Sequence, residues 1–342
     1  MTKKERILKS LNFEESDIVP YHFGFTGPAY KKVSEYYHNE NFMKKIGNHL
    51  ASIEANTDNA WEEISPNLWR DEFGVVWDRM IDKDIGTVKG CILKSPSLKN
   101  YTFPDPYKKG RFDKYPSFTK ENPDLFILQD IGFSLFERAW TLRGMENLLT
   151  DMILNPKFVD ELLDKILEYN LGILKQATEF DVDGCRFGDD WGQQRGLIMG
   201  PKLWKRFIKP RLAIMYGKVK EKGLPVFIHS CGDVKEIFPD LIDIGVNVFN
   251  PFQPEVMDVY EIKRKYGKNL CFYGGLSIQH TLPYGSPEEV KEEAKKLIKE
   301  IGKGGGYIFS PSHDIPKDVP LENILAVIET AQKQEKGYGY KG

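Results

Sequence analysis

The chain has 342 residues, 41% of them hydrophobic and 29% charged, with 48 Lys and Arg against 50 Asp and Glu. At about 150 residues per domain this is one large or two small domains, with too much apolar content for a disordered chain. A net charge of -2 provides no basic excess for nucleic acid or an anionic membrane.

The first residues mix Ile7, Leu8 and Leu11 with charge and lack the apolar core of an export signal. No apolar run is long enough to span a bilayer. Cys91, Cys185, Cys231 and Cys271 form no CxxC pair. The expectation is therefore a cytoplasmic protein with reduced thiols.

Residues 3–11 read as a helix and 17–22 as a strand running into a loop marked by Gly24, Gly27 and Pro28. Residues 30–68 read as mostly helical. Two β-prone runs, 73–77 and 87–93, suggest a hairpin. Residues 95–124 are rich in Pro, Lys and aromatics and read as an excursion from the scaffold. From Leu125 onward the chain turns regular, with strands expected at 125–130, 182–188, 225–229, 246–250, 270–274 and 307–310. Helical patterns at 156–180, 201–222 and 287–301 lie among them. Pro287 followed by Glu288 and Glu289 is a good helix start.

This alternation implies a parallel sheet covered by helices. A doubly wound sheet would carry a Gly-rich turn after its first strand, and no GxGxxG is present. The reading is an α/β fold, a (β/α)8 TIM-like barrel with an elaborated N-terminal half. Residues 1–342 form one domain, with 40–124 holding the insertions. Seven strands are visible, and the missing one is expected within 40–75.

Catalytic groups of such barrels sit where strands end. His22, Asp189 and Asp190, His229 with Cys231, Asn250 with Gln253, Gln279, and His313 all fall at such ends. His229 and Cys231, two positions apart before Gly232, suit zinc. The competing reading is a core cysteine beside a hydrogen-bonded histidine. His313, at the end of the last strand, can meet them across the mouth as a third ligand. Asp189 and Asp190 can serve as a general base, as support behind a metal or as binders of a cation, and the alternative is an acid pair at a helix start. His22 is placed either in the pocket or in a loop hydrogen bond. Trp191, Arg195, Gln253 and Gln279 are read as substrate-binding.

These segments together resemble the uroporphyrinogen decarboxylase superfamily over nearly the whole chain. The resemblance is carried by Lys4-Glu-Arg-Ile-Leu8 with Asp17-Ile-Val-Pro20, Ala139-Trp-Thr-Leu142, Gly188-Asp-Asp-Trp-Gly192 and Phe227-Ile-His-Ser-Cys-Gly232. It continues in Tyr273-Gly-Gly-Leu276, Leu282 to Val290, and Pro311-Ser-His313 with Val319 to Asn323. It implies a distorted (β/α)8 barrel. True decarboxylases of the family carry an arginine-rich segment after the first strand, which grips porphyrinogen carboxylates. The matching residues 22–30 contain no arginine. The resemblance is thus closer to the zinc-dependent branch that transfers methyl groups to and from corrinoid proteins. His229 and Cys231 match that branch's His-x-Cys pair, and His313 stands where a Cys is common. A His there makes the metal a better Lewis acid, suited to an ether or alcohol oxygen.

The implied function is zinc-dependent methyl transfer between a small methyl donor, methoxyaromatic or methylamine-like, and a corrinoid protein. The branch also admits a tetrahydrofolate acceptor and a homodimer. No Asp-x-His-x-x-Gly signature is present, so any corrinoid arrives on another protein. Two alternatives stand beside this. One is a metal-independent decarboxylase or other lyase, which needs basic groups at the mouth (Arg186 and Arg195 are the candidates). The other is a non-catalytic binding subunit.

Overall fold

The computed structural model describes residues 1–57, 60–81, 83 and 85–334; residues 335–342 of the expected 1–342 domain lie outside them. Seven parallel strands form one curled sheet in chain order: β1 (Leu50–Glu54), β2 (Phe126–Ile131), β3 (Gly184–Gly188), β4 (Val226–His229), β5 (Val248–Phe252), β6 (Cys271–Leu276) and β7 (Tyr307–Pro311). The eighth place is taken by a short segment around Tyr21. On one side Phe309 N donates to Pro20 O and His22 N to Phe309 O. On the other, His49 N, one residue before β1, donates to Tyr21 O. The sheet is thereby closed into a TIM-like barrel.

The 17–22 strand is reduced to this single bridge, because Pro20 offers no N–H to a ladder. The missing strand is β1. Its helical reading has a physical source: Leu50 and Ile53 are its buried residues, spaced by three as on a helix face. The helices in that stretch are Gly27–Tyr37, which Gly27 and Pro28 start instead of marking a loop, and Met43–Ile46.

The barrel interior is a cluster of Leu50, Phe126, Leu128, Phe227, Val248, Cys271, Tyr273 and Ile308. Helix α1 (Lys3–Leu11) plugs one end with Ile7. Its start is fixed by a capping box in which Glu5 N donates to Thr2 Oγ1 and Thr2 N to Glu5 Oε2. Cys271 is thus packing material. The second, larger apolar cluster lies between the strands and the outer helices.

Between β1 and β2 the chain leaves the barrel. Trp61–Ser65, Leu68–Asp71, Val76–Asp78 and Thr87–Val88 form a separate antiparallel sheet. The expected hairpin is its second half. The first strand escaped notice because all five of its residues are exposed, so no alternation marks it. The helical run at 201–222 is interrupted by a π turn at Trp204–Ile208 just before Pro210, where the missing proline N–H disturbs the ladder. Among the described residues no helix is long and apolar enough to cross a membrane.

Candidate metal centre and its cavity

The strand ends converge as expected. One donor atom each of His229, Cys231 and His313 lies within 4.8 Å of the others. Cys231 Sγ is 3.5 Å from His229 Nε2, and the two imidazoles meet edge to face with centroids 5.4 Å apart. β4 delivers His229. The loop after it is held at each of its next three N–H groups: Ser230 N donates to Asn250 O, Cys231 N to Asp190 Oδ1 and Gly232 N to Gln253 Oε1, at 2.7, 2.8 and 2.8 Å. Gly232 has φ of 86° and its added Cβ would stand 2.4 Å from Gly192 C. Only glycine allows this backbone-to-backbone approach.

The hydrogen bonds also choose the tautomer of His229. Asn250 Nδ2 donates to Tyr273 O at 3.0 Å, so its Oδ1 is turned to His229 Nδ1 at 2.6 Å. That oxygen only accepts. His229 therefore carries its proton on Nδ1 and presents the Nε2 lone pair toward Cys231. This is the arrangement of a metal-ligating histidine with its outer partner. Burial, followed by Asp190 and Glu137, raises the Cys231 thiol. Burial and then His229 lower His313. Both leave the triad short of positive charge, which a bound dication would supply.

His229 and His313 of the triad open onto a cavity of about 440 Å3, within the range that takes small ligands, about 300–1,000 Å3. His22, Asp190, His229, Asn250 and His313 line it from the barrel, and Trp61, Phe73 and Ile85 line it from the antiparallel excursion. His22 Nδ1 is 2.7 Å from Tyr273 OH. Burial lowers its pKa to about 4, with Arg186 adding to that and Asp314 opposing it, so His22 is neutral at pH 7. It reaches the pocket and makes a hydrogen bond as well.

Five expected site residues stand elsewhere. Asp189 is fully buried and faces away from the cavity. Its carboxylate accepts from the backbone N–H groups of Leu135, Phe136 and Glu137 at 3.2, 3.1 and 2.8 Å, and from Trp191 Nε1. It therefore caps the helix Phe136–Arg143. Burial pushes it up to about 6 against the pull of these donors. Trp191 is fully buried, against Trp204. Arg195 is exposed on a small hairpin, and Gln279 is exposed beside Glu255; neither lines the cavity. Gln253 is buried, and its side-chain oxygen is occupied by the Gly232 N–H, so it positions the Cys231 loop.

Residues not expected are Glu137 and the excursion wall. Glu137 lines the cavity, and burial, with Asp190 and Asp189 next, raises its carboxyl well above the ordinary value. Its signal was available: it lies six residues past the end of β2, in the first turn of the helix that follows that strand end. Arg186 lines the cavity too, but Asp130 holds its guanidinium through Nε at 3.0 Å and through Nη2.

Residues 133–334 match the family model described as "Uroporphyrinogen decarboxylase (URO-D)". The chain belongs to this family. Uroporphyrinogen decarboxylase of Chlorobaculum tepidum is 25% identical over 267 residues, covering 76% of this chain and 70% of that one. The Chlorobaculum parvum protein is 24% identical over 278 residues with the same coverage. In fold, the chain is similar to a methyltransferase from Methanosarcina mazei, with a TM-score of 0.73 and 18% identity over 97% of this chain and 99% of that one. All three residues of the candidate metal triad lie in the family-matched segment; Trp61 and Phe73 lie before it.

Proposed function

We propose that this URO-D-superfamily enzyme is a zinc-dependent methyltransferase moving a methyl group from a small methylated donor to a corrinoid protein. The observation that carries the reading is the triad: two imidazoles and a thiol converge, with Asn250 fixing the His229 tautomer that leaves Nε2 free. The donor set fits zinc, and three protein ligands leave a fourth position for a substrate atom. When bound, zinc would act as a Lewis acid on the heteroatom that carries the methyl group.

The chain's own groups do the rest. Asp190 spans the Cys231 N–H and lies 3.9 Å from His229 Nε2, where it orients the metal loop. Glu137, its carboxyl raised, can hold a proton beside the leaving atom. His22, neutral and hydrogen-bonded to Tyr273, lines the same cavity. Trp61, Phe73 and Ile85 of the excursion form part of its wall. The corrinoid would arrive on a separate protein, and tetrahydrofolate is the alternative acceptor.

The lyase reading requires free basic groups at the mouth. Arg186 is committed to Asp130, and Arg195 lies outside the cavity.

The test is the zinc content of the purified protein beside the His229→Ala/Cys231→Ala double variant. About one zinc per chain, lost in the variant, supports the site, and methyl transfer to a reduced corrinoid protein completes the assignment. Protein without zinc that takes up none when zinc is supplied overturns it.

A further inference from the structure

The cavity walls carry seven carboxylates, two guanidinium groups and no lysine. Both guanidiniums are spent locally. Arg186 is bound by Asp130. Arg138 Nη1 donates to Asp71 Oδ2 at 2.6 Å and lies over the Phe73 ring at 4.1 Å. Glu72 is matched from behind by Arg111, at 3.1 and 2.7 Å. Four carboxylates remain: Glu54, Glu137, Asp190 and Asp314. None of them pairs with an arginine or lysine among the described residues. They come from β1, from the helix after β2, and from the loops after β3 and β7, so they surround the space instead of marking one acidic run. A zinc ion with one thiolate and two neutral imidazoles adds a single positive charge. With a proton held at Glu137, the other three carboxylates still outnumber that charge, so the enclosure stays negative with the metal in place.

We propose that this cavity takes a small cationic ligand, an alkylated ammonium compound, in preference to a carboxylated or neutral aromatic one. The identification rests on the methyl-transfer reading only for the fate of the ligand; the charge selection follows from the walls alone. A carboxylated substrate would enter against four unpaired carboxylates with no guanidinium free to receive it. A neutral methoxyaromatic would leave them unpaired in a partly dehydrated space, which is costly. A quaternary ammonium satisfies them without needing hydrogen bonds, and the rings of Trp61, Phe73 and Phe133 on the same walls, each with an arginine guanidinium over one face, still give its methyl groups apolar surface. The raised carboxyls of Glu54 and Glu137, with burial first among the causes and neighbouring carboxylates next, agree with an enclosure short of one cation.

The experiment is calorimetric binding to the zinc-loaded protein, with choline as the cation and 3,3-dimethyl-1-butanol as its neutral isostere. Guaiacol and vanillate serve as the neutral and anionic aromatic probes. Choline is expected to bind at least tenfold more tightly than its isostere and than either aromatic. Glu54→Gln is expected to weaken choline about five- to tenfold while leaving the isostere and the zinc content unchanged. Equal binding of choline and its isostere, or tighter binding of guaiacol or vanillate, overturns the proposal. Should Glu54→Gln fail to fold, the four probes on the wild-type protein decide the matter alone. Zinc stoichiometry is read on the same samples, so a failed metal site and a failed cation preference are distinct results.

Discussion

Asn250→Ala tests the tautomer argument without touching a metal donor. In the native chain Asn250 makes two side-chain bonds, to Tyr273 O and to His229 Nδ1. Alanine removes both. Loss of the Tyr273 bond is the same with and without metal, so it falls on stability alone, at about 1 kcal/mol. Loss of the His229 bond is different. Nothing then holds the proton on Nδ1, and with metal on Nε2 the Nδ1–H is left partly buried without an acceptor. That costs about 1–3 kcal/mol in the bound state, which is roughly 5- to 150-fold in zinc affinity. The figure agrees with the 10- to 100-fold typical of outer partners of metal ligands. The assay is competition for zinc against a chromophoric chelator, with the thermal midpoint recorded on the apoprotein. A stoichiometry still near one with affinity lowered by about 10- to 100-fold is expected. Unchanged affinity would refute the tautomer argument and with it the ligand role of His229. Asn250→Asp sharpens the test. It restores an acceptor to Nδ1 but turns a carboxylate oxygen to Tyr273 O, so affinity is expected to recover while stability does not.

Three further outcomes are expected. Asp189→Ala orphans four buried donors and should destabilise by about 2–4 kcal/mol; at about 2.1 cal/mol/K per residue, or about 0.7 kcal/mol/K over 342 residues, the thermal midpoint falls by about 3–6 °C, whereas an unshifted midpoint with lost activity would restore Asp189 to the chemistry. His49 is buried, and its pKa is lowered to about 3 by burial and then by Arg6 and Lys3. Below about pH 6.5 the unfolded chain takes up a proton that the native one refuses, so stability falls as pH drops, by about 1.4 kcal/mol per unit from 6.5 toward 3. The stability deficit of His49→Gln in urea unfolding should therefore shrink by about 3 kcal/mol between pH 7 and pH 4, and a constant deficit would contradict this. Gly232→Ala forces a Cβ against the Gly192 backbone and should lower zinc occupancy by displacing Cys231; full occupancy with an unchanged melting curve would show that the loop has room.

What the sequence made legible divides along a physical line. Buried parallel strands such as 225–229 and 307–310 announce themselves as apolar runs, and the rule that chemistry gathers at their ends found His229, Cys231 and His313. The direction of a side chain past a strand end is set by the loop, and no pattern records it. Asp189 and Asp190 show this. Neighbours along an extended backbone point to opposite sides, so the pair could not both face the mouth. Asp190 turned to the Cys231 loop and Asp189 to the helix Phe136–Arg143. Arg195 and Gln279 follow strands closely enough to suggest the mouth, yet their loops run outward. Conversely, Glu137 entered from a helix start. Trp61 and Phe73 entered from a sheet whose exposed first strand carries no periodic signal.

These two kinds of residue sort by function. The candidate metal donors and the groups that hold them, Asn250, Gln253 and Asp190, all fall within residues 133–334, the segment matched by the family model. Glu54, Trp61, Phe73 and Arg138's partner Asp71 fall before it, on β1 and the excursion. The family-matched half thus supplies the candidate metal triad and three of the four unpaired carboxylates, Glu137, Asp190 and Asp314, while the earlier half adds Glu54 and the aromatic wall. Such a division lets charge selection change without disturbing the donors, because Glu54 shares no hydrogen bond with any residue that touches the triad. The segment after Tyr21 is where the two halves meet. It replaces a full strand with a single bridge to β7, and it places His22, in a stretch without arginine, in the cavity wall against Tyr273. A carboxylate-gripping arginine there would have to displace His22 from Tyr273 and face Asp314. The same few residues that close the barrel therefore also turn the cavity from anions toward cations.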